Sequence, residues 1–61
     1  MMFMTLHEEL VFAFNTYMKE YENLEKNGVK VSAVRARKAL QDLRHLSAER
    51  RKEIQQQKEE L

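Results

Sequence analysis

Across 61 residues the chain has one glycine, Gly28, and no proline. Glycine and proline are the residues that most readily stop or bend a helix. A chain this poor in both has one natural place to turn, the Asn27-Gly28 pair. Gly28 can adopt the left-handed conformation that ends a helix, and Asn27 tolerates it. Ahead of that break, Leu10, Phe14, Tyr17, Tyr21 and Leu24 step by four, three, four and three, a heptad seam. Val11 and Met18 widen it into a face broad enough for two neighbours. Thr5-Leu6-His7-Glu8 has the form of a capping box, so helix one is expected over about residues 5–27.

Beyond the break a second helix is expected to restart near Val29 to Ser32, with Ser32 as its N-cap, and to run over about residues 32–58. Its seam reads Ala33, Ala36, Leu40, Leu43, Ser47, Arg50 and Ile54, with Val34, Ala39 and Leu46 alongside. A turn this short makes the helices antiparallel neighbours. The fold class is therefore all-α: a coiled-coil-like antiparallel two-helix hairpin in a single domain. Such a chain is near the lower size limit for a self-sufficient core, and with no cysteine it has neither disulfides nor thiolate metal sites to brace it. Two helices share one interface, yet both carry wider apolar faces than one interface uses. Leu10, Phe14, Tyr17, Tyr21, Leu40, Leu43 and Leu46 are accordingly the expected oligomer interface, with two hairpins closing into a four-helix bundle as a homodimer.

A formal net charge of +1 conceals a polarity. The first helix has five glutamates against Lys19 and Lys26, a balance of −3, whereas the chain from Lys30 onward carries nine Lys/Arg against five acids, a balance of +4. Within that basic half Lys30, Arg37, Arg44, Arg51 and Lys58 recur at intervals of seven, which places them in one slowly drifting helical stripe. Such a stripe either neutralises successive phosphates or is a solvated face whose cations pair with nearby glutamates. No aromatic residue interleaves with it, which argues against stacking on single strands.

Catalysis finds no support. The chain has no glycine-rich phosphate loop, no serine or cysteine nucleophile beside a base, and no length for a pocket. His7 and His45 are the only histidines, too few and too far apart for a metal motif, so no metal or other cofactor is expected. Met1, Met2, Met4 and Met18 are read as end packing, with a soft surface for a partner helix as the alternative. The opening apolar run is too short for a signal peptide or a membrane span, and the acids of helix two argue against a membrane-surface helix. An intracellular, cytoplasmic location is expected.

The stretch Lys26-Asn27-Gly28-Val29-Lys30, then Arg35-Ala36-Arg37-Lys38, Leu40-Gln41-Asp42-Leu43 and Arg51-Lys52-Glu53-Ile54 resembles the short histone-like nucleoid proteins of the chlamydial linker-histone type. Members of that family carry a Lys/Gly/Asn-rich turn, an Arg-x-Arg-Lys helix start and a Leu-x-x-Leu continuation leading to Arg-x-Glu and an aliphatic residue. The resemblance covers about half the chain. It implies a nucleoid-associated partner of non-specific duplex DNA, with Arg35, Arg37, Lys38 and Arg51 as contacts, to which the stripe adds Lys30 and Arg44. The better-known members also carry a long Lys/Ala-rich tail, and these 61 residues include none, so binding is expected to depend on multivalency. The alternative is a small helical adaptor, viral or phage among the possibilities, that docks on another protein without binding DNA.

Overall fold

The computed structural model describes residues 3–61, and Met1 and Met2 lie outside the described residues. It contains two α-helices, α1 (Leu6–Asn27) and α2 (Lys30–Glu60), and among the described residues no strand. They are joined by Gly28 and Val29 and pack along their shared length as an antiparallel hairpin of 48 × 25 × 14 Å.

Local chemistry explains where the helices begin and end. The Glu8 N–H donates to the Thr5 hydroxyl at 3.1 Å, and the Thr5 N–H donates to the Glu8 carboxylate at 2.9 Å. Both halves of the capping box are therefore made. At the other end Gly28 has φ 62° and ψ 30°, and its N–H donates to the Leu24 carbonyl at 3.1 Å while Val29 N–H reaches the Asn23 carbonyl at 3.3 Å. That left-handed cap satisfies the last carbonyls of α1. The restart of α2 falls within the stretch from Val29 to Ser32, but its cap is not Ser32. Val29 is its N-cap, without a side-chain hydrogen bond, and Ser32 sits within the first turn, almost wholly buried against α1. The fixed two-residue turn brings the second helix into register two residues early, so the Ser32 side chain meets the opposing helix instead of a free backbone N–H.

The seam between the helices consists of small residues. Ala13 from α1 and Ala36 and Ala39 from α2 are the buried apolar side chains, joined by Ser32 and Glu20. Small side chains let two helix backbones approach closely, and a close approach leaves no room between them for rings or branched chains. Phe14 (51% exposed), Tyr21 and Leu40 (48% exposed), expected in the seam, are therefore displaced to its outer side. Tyr17 is half-buried, and its ring lies 6.2 Å from that of Tyr21. α2 has 31 residues against 22 in α1, so its last turns extend past the start of α1.

Two outcomes test this local account. Space around Gly28 is open to a Cβ, so Gly28→Ala should cost only the left-handed backbone penalty, about 1–2 kcal/mol, in chemical denaturation, with Gly28→Asn closer to the parent. The hydrogen bonds from the Thr5 backbone and hydroxyl, with His7 nearby, hold the Glu8 carboxyl below its ordinary value. A depressed carboxyl stabilises the fold above the ordinary glutamate range, and that contribution is lost as pH falls through the folded value. The melting temperature should therefore fall on acidification, with a smaller acid-sensitive part in Glu8→Gln.

Candidate nucleic-acid interface

The hairpin has two broad faces, separated by the seam. On one, Phe12, Ala13 and Thr16 of α1 and Val34, Lys38 and Ala39 of α2 line an open groove of about 750 Å³, with Arg35, His45 and Leu46 also on its wall. Helical spacing puts Leu10, Phe14, Tyr17 and Tyr21 on the opposite side of α1 and Leu40 on the opposite side of α2, while Leu43, four residues after Ala39 and seven after Ala36, stays on the seam line. Five of the seven residues expected at an oligomer interface thus share one face. Leu46 does not, because it lies across the Ala39 line and contributes to the groove.

The cations divide in a similar way. Lys30, Arg37, Arg44, Arg51 and Lys58 are all exposed, and none is ion-paired among the described residues. They lie well round the helix from the buried Ala36 and Ala39, so the stripe faces away from α1. A heptad interval drifts by about 20° on a straight helix, which carries Arg51 and Lys58 toward the apolar face. From the first cation to the last the row covers about 42 Å at the α-helical rise, more than one turn of a duplex.

The other basic side chains of α2 are engaged. Lys38 donates to Asp42 at 2.8 Å, Arg50 to Glu53 at 3.0 Å, and Lys52 to Glu49 at 3.4 Å. Arg35 faces Glu20 of α1, Nη1 to Oε1 at 3.9 Å. Of the residues read from the sequence as DNA contacts, Lys30, Arg37, Arg44 and Arg51 are thus brought into one free row, while Arg35 and Lys38 stand on the groove side with acidic partners. The stripe was visible as a seven-residue repeat. The contact between Arg35 and Glu20 was not, because Glu20 lies outside the heptad seam of large apolar residues in helix one. The signal that would have placed it is the line Leu6, Ala13, Glu20, Asn27, also spaced by seven.

No group of acids and histidines that could hold a metal is present among the described residues, and none of their helices is long and apolar enough to cross a membrane. His7 is exposed at the start of α1 and His45 stands beside the groove.

A protein-family comparison matches the family described as histone H1-like protein Hc1 over residues 4–60. The chain belongs to that family. The Hc1 match takes in α1 as well as the turn and α2, so it covers the whole hairpin and not only the stretch from Lys26 to Ile54 that carries the resemblance. Neither a curated protein nor a solved structure matches the chain.

Proposed function

We propose that this chain is a histone-like, nucleoid-associated protein that binds duplex DNA without regard to sequence, through the free basic row of α2. The observation that carries the reading is the unequal pairing of its cations: Lys30, Arg37, Arg44 and Arg51 are exposed and unpaired among the described residues, while the neighbouring basic groups have acidic partners. A free cation binds phosphate by releasing the counterions condensed on DNA, whereas a paired one must first give up its carboxylate. The row itself lacks the Asn or Gln that pairs with adenine. Membership of the Hc1 family supports the same reading.

The binding unit in this proposal is an oligomer, in its simplest form a dimer of hairpins joined through the face bearing Phe14, Tyr21 and Leu40. The chain exposes 5521 Å², against about 4,200 Å² for a compact folded protein of its mass. The excess exceeds the roughly 800 Å² that each partner hides in an ordinary interface. Covering that apolar face would add burial that the alanine seam lacks, and would join two basic rows in one particle.

Four phosphate contacts per row give a log–log salt slope near −3.6, so affinity for labelled duplex should drop about 10²-fold from 50 to 200 mM salt. Arg44→Gln should flatten the slope by about 0.9. Arg37→Glu with Arg44→Glu should abolish binding and leave the helical circular dichroism intact. Binding that survives that double change, or none at the lower salt, would overturn the reading. For the oligomer, the melting temperature should rise with protein concentration, and Phe14→Glu with Leu40→Glu should remove that dependence; a parent whose melting ignores concentration contradicts it.

A further inference from the structure

Glu20 is the one acid buried in the seam, with 5% of its surface exposed. One carboxylate oxygen lies 3.9 Å from Arg35 Nη1, and the other is buried with no hydrogen-bond partner. A carboxylate in this position depends on a nearby positive charge, because taking away the partner of a buried ion leaves the ion uncompensated. The Arg35 side chain itself is 61% exposed, so distance from solvent does not prevent it from meeting a phosphate. What opposes that contact is the anion beneath it. A phosphate approaching Arg35 is repelled by Glu20, and drawing the guanidinium outward strips Glu20 of its counter-charge.

The neighbouring Lys38–Asp42 pair differs in kind. Its acid is 44% exposed, so water can replace the lysine when a phosphate takes it, and exposed pairs of this sort hold weakly. Burial of the acid therefore separates Arg35 from Lys38, its neighbour on the groove side of α2.

We propose that Glu20 withholds Arg35 from phosphate and so limits the affinity of the α2 surface for DNA, an inference that rests on the DNA-binding reading above. Glu20 is then a positioning residue: it touches no nucleic acid and acts by holding a cation that would otherwise bind. Gln in its place keeps the shape and removes the charge, which frees Arg35 for one more phosphate contact, made from the groove side of α2.

The experiment is a salt titration of labelled duplex DNA with the full chain, its Glu20→Gln, Glu25→Gln, Arg35→Gln and Glu20→Gln/Arg35→Gln variants. Glu25 is an exposed acid of the same helix, so Glu25→Gln makes an equal change in net charge without touching Arg35. Glu20→Gln should steepen the log–log slope by about 0.9, the increment for one phosphate, and bind several-fold more tightly at low salt. Glu25→Gln, Arg35→Gln and the double variant should keep the parental slope. A merely structural role for Glu20 would shift the melting temperature and leave the slope alone. An unchanged slope in Glu20→Gln, or one flattened in Arg35→Gln alone, overturns the inference and leaves the DNA reading standing. Absence of binding by parent and Glu20→Gln alike overturns both.

Discussion

The close helix–helix seam is the constraint from which the rest follows. Ala13, Ser32, Ala36 and Ala39 bring the two backbones together, and a seam of such residues contributes little, since burial yields only about 25 cal/mol per Å² of apolar surface. It also leaves no large apolar side chain fully buried among the described residues. Phe14, Met18, Tyr21, Leu40 and Ile54 are turned outward, and one hairpin by itself has no way to cover them. A 61-residue chain without disulfides has few other means of support. The local signals at Thr5, Glu8 and Gly28 set the hairpin, and its outer apolar face stays uncovered in a single chain.

The same geometry sorts the charges. Positions that turn toward α1 or the groove find acids within reach, from Glu20 across the seam to Asp42, Glu49 and Glu53 along α2. Positions on the outer side of α2 find none, and there the heptad repeat sets Lys30, Arg37, Arg44, Arg51 and Lys58 in a row. A chain whose net charge is only +1 can therefore present a strongly basic edge. For the DNA binding proposed above, the distribution of unpaired charge counts for more than the total.

Much of this was readable in the sequence because it depends on local rules. Thr5 and Glu8 announced a capped start, and a lone glycine announced the turn. The family was readable too, from the order Arg35-Ala36-Arg37-Lys38 and Leu40-Gln41-Asp42-Leu43. The rotation of the helices about their axes was harder to read. Counting large apolar residues favours a seam through Phe14, Tyr21 and Leu40, whereas the fold chooses the alanine line, one residue over. Two contacts follow from that choice: Ser32 and Glu20 are buried in the seam, and Arg35 lies 3.9 Å from Glu20. Each is a question of which side of a helix meets its neighbour, and size alone does not decide that when small residues offer a tighter approach.

The central claim is that DNA meets the outer row of α2. Nuclear magnetic resonance of the arginine side-chain Nε–H groups, followed as duplex DNA is added, tests it most directly. The account predicts that Arg37, Arg44 and Arg51 shift together and early while Arg35 and the amides of α1 stay in place. Shifts centred on α1 or the groove, or Arg35 responding before the row, would contradict it.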